Sequence, residues 1–113
     1  MARTTRMALA RRIVLCFALL LTVYGADGIA LLELDAAVRL REAGERRRVA
    51  LLEGLFDVDE VAVAGAHDLT IAIHNQEQLR MLEFAPRDAR FDVMVKINTG
   101  MNRLGFAPRD ALV

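Results

Sequence analysis

At 113 residues, 55% hydrophobic and 27% charged, the chain is one small globular domain rather than a disordered segment. Its zero net charge is uneven: residues 1–24 carry four arginines and no acid, which leaves 11 basic against 15 acidic groups in the rest, and such a body excludes nucleic acid as a partner. The single cysteine, Cys16, excludes an internal disulfide and any multi-cysteine metal site.

Met1–Arg12 is basic, and Ile13–Tyr24 (IVLCFALLLTVY) is a nearly unbroken apolar run. As a helix it would span ~18 Å against a hydrocarbon core of ~30 Å, too short for a comfortable membrane crossing. Its length and basic flank suit the core of a signal peptide, with Val23-Tyr24-Gly25 as the cleavage site. On that reading the protein is secreted, periplasmic or membrane-associated through residues 13–24. The second reading is an out-of-frame product, since GC-rich DNA in the wrong frame also yields Arg, Ala and Leu. Both set residues 1–25 apart from a body at 26–113.

From Asp27 the chain alternates short apolar runs with amphipathic stretches. Gly28–Leu32 (GIALL) reads as a buried strand. Asp35 caps a helix to about Ala43, which Gly44 stops. Arg46-Arg47-Arg48 is a basic turn that reads as a solvated connection, since no glycine cradle accompanies it for phosphate binding. Val49–Leu52 is a second strand, and Asp57 and Asp59 introduce a helix from Val58 to about Ala66. Leu69–Ile73 is a third strand, followed by a helix over Gln76–Phe84 with Leu79, Leu82 and Met81 turned inward. Phe91–Ile97 is a fourth strand, and Pro108 opens a last helix. Four β-α units at this spacing imply parallel strands, either in an open doubly wound sheet or in about half of a (β/α)8 TIM-type barrel. Periodicity leaves both open.

The segment V-K-I-N-T-G-M-N-R-L-G-F, from Val95 to Phe106, follows the fourth strand and forms a loop at its C-terminal end, where parallel α/β folds place their sites. Gly100 and Gly105 permit positive φ, Asn98 and Thr99 suit turns, and Arg103 offers a planar fork for a carboxylate, phenolate or phosphate. Lys96, the only lysine in the chain, points the same way if the strand alternates regularly.

Lys96–Gly105 resembles the K-x-[DN]-T-G-M-x-R-L-G pattern of alanine racemases without departure, and Ala26–Gly44 and Val49–Asp57 are similar to the same family. The resemblance runs over about residues 25–113. It implies a partial (β/α)8 barrel, pyridoxal 5'-phosphate as cofactor, a homodimer, a cytoplasmic location, and interconversion of L- and D-alanine for peptidoglycan synthesis. By position it implies that Arg103 contacts the cofactor's phenolic oxygen and the substrate carboxylate. It implies that Lys96 matches a lysine often carbamylated in the family, whose anion holds the arginine in place.

The family also uses a Schiff-base lysine in a K-x-N-A-Y-G-H-G-like motif on the first strand and a tyrosine from the partner subunit's C-terminal domain. Residues 1–24 contain no lysine, and Tyr24-Gly25 echoes that motif without its flanks. The expectation is therefore a racemase-like fragment with no catalytic residue of its own, inactive alone, and poor at retaining cofactor. The alternative is a non-catalytic half barrel that binds a partner or cofactor. His74 reads as a polar strand end, His67 as a helix end, Asp57, Asp59 and Glu60 as an acidic helix start, and Met81 and Met94 as packing. None supports a metal site.

Overall fold

The computed structural model describes residues 25–112, with isolated positions 8, 9, 12, 13 and 16 upstream. The readings of the basic and apolar segment fall outside the described residues, apart from those positions. Among the described residues no helix is long and apolar enough to cross a membrane.

Strand β1 (Gly28–Leu31) leads to helix α1 (Leu34–Glu42), β2 (Arg48–Leu51) to α2 (Asp59–Ala66), and β3 (Thr70–Ile73) to α3 (Gln76–Met81), which tightens into a 3-10 turn at Leu82–Phe84. Strand β4 (Asp92–Val95) follows, and a 3-10 turn at Asp110–Leu112 closes the described chain. The four strands form one parallel sheet in sequential order, with Ile29 opposite Val49, Leu51 opposite Ile71, and Ile71 opposite Val93.

Partners in register point to one face of a parallel sheet. Ile29, Val49, Leu51, Leu69 and Ile71 accordingly line a single face, where they pack on Ala37 and Leu40 of α1 and on Val61 and Ala64 of α2. Met81 and Leu82, from α3 and its turn, close the same layer. All three helices therefore lie on one side. A doubly wound sheet carries helices on both faces and reverses strand order at a switch point. Neither occurs here, and the fold is a four-strand segment of a (β/α)8 barrel. The opposite face presents Gly28, Ala30, Ala50, Thr70 and Ala72, the small residues of a barrel interior.

Several boundaries differ from the sequence expectation. Helix α1 starts at Leu34 behind Glu33, with no side-chain cap, so Asp35 acts in the first turn through the helix dipole rather than as the cap. Strand β4 ends at Val95 because the backbone of Lys96 and Asn98 turns to Phe106. Pro108 sits in a turn ahead of a 3-10 segment, not at the head of a helix. Leu79 is 44% exposed, since the inward position on α3 is taken by Gln78. Met94 is open on the bare face rather than packed.

Arg46 and Arg48 of the basic turn are exposed, as in a solvated connection, but Arg47 is a clamp. Arg47 bonds both oxygens of Glu45, at 3.0 and 2.6 Å, and reaches back to the carbonyl of Ala26 at 2.8 Å. The hydrogen bond from the Arg47 side chain is the main cause that pulls the Glu45 carboxyl from 4.5 down to about 2; burial opposes it, and the backbone N–H of Arg47 assists. A depressed carboxyl stabilises the fold above its unfolded pKa, and that contribution disappears as pH falls from about 4.5 toward 2. Glu45→Gln is therefore expected to be less stable than the parent at pH 7 and indistinguishable from it near pH 2. Urea unfolding across that range checks this, and a constant difference at all pH values would contradict it.

Candidate functional site

The C-terminal ends of the strands carry two structures, one that joins loops together and one that is closed on itself. Asn75 caps α3, its Oδ1 accepting from the N–H of Gln78 at 2.8 Å. Gln78 is 5% exposed and uses its whole amide: Nε2 donates to the carbonyls of Glu53 (2.8 Å) and Leu55 (3.1 Å), and Oε1 accepts from the N–H of His74 (3.0 Å). His74 Nε2 lies 2.8 Å from the Glu53 carbonyl, an acceptor, so that nitrogen carries the proton. The exits of β2 and β3 are thereby tied together. Gly54 makes the approach possible: a Cβ there would stand 2.3 Å from the Ala72 carbonyl and 2.6 Å from Gln78 Nε2.

The β4 exit is built from its own residues. Lys96 N–H donates to the Ile73 carbonyl at 2.8 Å, the last tie to β3. Asn98 Oδ1 then accepts from the N–H groups of Gly100 and Asn102, both at 3.1 Å, and Asn98 Nδ2 donates to Asn102 Oδ1. Phe106 returns to the strand end, donating to the Lys96 carbonyl (2.9 Å) and accepting from Asn98 N–H (2.8 Å). Gly105, at φ +119°, permits the return, since a Cβ would stand 2.7 Å from the Asn98 nitrogen.

Strand alternation puts Asp92, Met94 and Lys96 on the face away from the helices, so Lys96 faces the barrel interior, half-buried. Arg103 lies on the returning limb of the loop and is exposed. The structure thus brings the two onto one loop, but neither side chain makes a hydrogen bond or ion pair with another described residue. Met101, inside the same motif, is 76% exposed. His67 bonds the Val63 carbonyl through Nδ1 at the end of α2. Asp57 and Glu60 accept from backbone N–H groups at its start. Among the described residues no group of three His, Cys, Asp or Glu could hold a metal.

Pyridoxal phosphate held covalently needs a free amine, and its phosphate needs cations or clustered backbone N–H groups. At this end of the sheet the only lysine is Lys96. The hollow of about 300 Å³ nearby is lined in part by Glu33, Asp35 and Glu60, which repel a phosphate. A cavity of about 200 Å³ with Arg46, Arg47 and Arg48 lies at the opposite, N-terminal end, where Arg47 is engaged by Glu45 and Arg48 by Asp92. The described residues supply a guanidinium for a carboxylate or phenolate but do not fit the cofactor as a whole.

Gln78 is the residue that sequence reasoning missed. The only signal was its spacing, third after the capping Asn75, where a capping-box glutamine stands. Its carbonyl acceptors lie 23 and 25 residues upstream, beyond any local pattern.

The family description "Alanine racemase, N-terminal domain" matches residues 12–113. Alanine racemase of Nitrosospira multiformis is 56% identical over 85 residues, 75% of this chain and 24% of that protein. Alanine racemase of Janthinobacterium sp. (strain Marseille) is 53% identical over 83 residues, 74% of this chain and 23% of that protein. The biosynthetic alanine racemase of Pseudomonas aeruginosa superimposes with a TM-score of 0.76 at 36% identity, over 89% of this chain and 27% of that structure. The Oenococcus oeni alanine racemase, at 24% identity and a TM-score of 0.75 over 86% of this chain and 28% of that one, supports the fold alone. The chain spans about a quarter of the length of the relatives it matches. On these findings the chain belongs to the alanine racemase family, as a portion of its N-terminal domain.

Proposed function

We propose that residues 26–113 are the portion of an alanine racemase barrel that presents a carboxylate-binding arginine, and that the 113-residue polypeptide by itself does not racemise alanine. One observation carries the reading: the sole lysine occupies the first position of K-I-N-T-G-M-N-R-L-G, at the end of β4. Racemisation at an α-carbon needs an electron sink and a base on each face of the planar carbanion. Pyridoxal phosphate, the cofactor that the family implies, supplies the sink when bound. Among the described residues none is left over as the anchoring amine or as one of a pair of opposed bases.

The chain's own residues bind and orient. Arg103 offers two parallel N–H groups to a carboxylate, a charge-assisted pair with fixed direction. Asn98 sets the loop on which Arg103 stands. Lys96, at the root of that loop, supports the arginine if its amine is converted to a carbamate, because the product is an anion.

The purified chain, supplied with L-alanine and excess pyridoxal phosphate, is expected to yield no D-alanine above the protein-free control. Borohydride reduction followed by peptide mapping is expected to leave Lys96 unlabelled. Turnover that survives rigorous removal of contaminating racemase overturns the reading.

A further inference from the structure

We propose that Asn102 is a positioning residue for Arg103: its left-handed backbone and its side-chain bond to Asn98 fix where the arginine leaves the loop. The inference deepens the carboxylate-binding reading above and rests on it for the identity of the ligand.

The motif leaves the residue before the arginine open, whereas the structure gives that residue two tasks. The first is conformational. Three residues of the loop have positive φ: Gly100 at +140°, Gly105 at +119° and Asn102 at +56°. Asparagine and aspartate enter the left-handed region more readily than other side chains, and β-branched ones scarcely enter it. Among the described residues only one other non-glycine residue, Asp68, has positive φ, so the conformation is no general habit of these turns.

The second task is polar. Asn98 Oδ1 accepts from the Asn102 N–H at 3.1 Å, and Asn98 Nδ2 donates to Asn102 Oδ1, also at 3.1 Å. The two residues hold each other by backbone and by side chain. Arg103 comes next, and three residues further on Phe106 is bonded to Lys96 and Asn98. The Cα of Arg103 is therefore fixed from both flanks, while its guanidinium makes no bond to another described residue. A fork held at its root and open at its tip gives up less freedom on taking a carboxylate than one on a loose loop. Without Asn102, the stretch from Met101 to Gly105 has no bond to the root of the loop.

The amide also accounts for aspartate or asparagine at position 98 of the motif. Asn102 presents its oxygen to an Asn98 amide and, turned by half a rotation, its nitrogen to an aspartate. Two carboxylates at these positions would repel.

Nuclear magnetic resonance on the 113-residue chain at neutral pH supplies two readings. One is the shift of the Arg103 Nε–H during titration with sodium acetate; the other is hydrogen exchange of the Gly100 amide and the amide at position 102. Asn102→Val resists the left-handed region and has no acceptor. It is expected to weaken acetate binding on the order of tenfold and to speed exchange at both amides. Asn102→Gly keeps the conformation without the side chain and is expected to bind within about threefold of the parent. That rescue separates positioning from a general loss of structure. Asn98→Asp and Asn102→Asp are each expected to keep both amides slow, and the double variant to lose the protection. Asn102→Val binding acetate as tightly as the parent, Asn102→Gly binding no better than Asn102→Val, or slow amides in the double variant overturns the proposal. An Arg103 resonance in the parent that ignores acetate refutes the carboxylate reading instead, and the amide exchange still decides whether Asn102 holds the loop.

Discussion

Gly54→Ala is expected to destabilise the fold by about 3–5 kcal/mol, the largest loss expected from an added methyl group at any described glycine. Two effects add. At φ +74° an alanine carries a left-handed backbone penalty of about 1 kcal/mol, and its Cβ would sit 2.3 Å from the Ala72 carbonyl and 2.6 Å from Gln78 Nε2. The carbonyl belongs to β3 and cannot rotate away, so the loop must lift. Lifting it removes the acceptors of a buried amide, and Gln78 is left with unmet donors. Gly44→Ala is the control. It has φ +96° with nothing within 4 Å of the added atom, so it is expected to lose only the backbone penalty, about 1 kcal/mol. Thermal unfolding separates the two: a midpoint drop more than about 12 °C for the first variant, and less than about 8 °C for the second. Equal drops would mean that backbone conformation alone accounts for both.

Arg41→Ala is the second large effect, expected at about 2–4 kcal/mol. The guanidinium donates to four carbonyls: Glu45 at 3.0 Å, Arg47 at 2.7 Å, His67 at 2.8 Å and Asp68 at 2.9 Å. These carbonyls belong to the turn before β2 and the turn before β3. One planar group therefore holds the chain in place just ahead of two neighbouring strands, with no carboxylate involved. Arg41→Lys tests whether shape or charge matters. An ammonium keeps the charge but cannot span both turns with a rigid fork, so about half of the loss is expected to remain. Urea unfolding of the three proteins checks it. Full rescue by lysine would show that the fork is unnecessary.

Local patterns were legible, and contacts across the sequence were not. Each of the four apolar runs became a strand, because a strand in a parallel sheet needs little beyond adjacent apolar residues, although β4 is exposed where the first three are largely covered. The loop after β4 could be read in detail, since its asparagines and glycines satisfy one another within a few positions. Periodicity left the choice between a doubly wound sheet and a barrel open, because an amphipathic helix records that it has an inner face but not which side of the sheet it covers. The family resemblance made that choice, and the one-sided layer of α1, α2 and α3 agrees with it. The inward face of α3 was misjudged for a related reason. Leu79 is the better hydrophobe, but Gln78 faces three backbone groups, two of which come from the loop after β2. Arg41 was invisible in the same way, with two of its acceptors 26 and 27 residues downstream.

The self-contained bonding of Lys96 to Phe106 has a consequence for inheritance. A residue such as Arg103, whose backbone position is set by one short contiguous stretch, needs little from distant parts of the chain beyond the tie of Lys96 to β3. Such a stretch keeps its shape when a gene is cut, fused or duplicated around it, and it would carry its backbone geometry into a foreign host as a cassette.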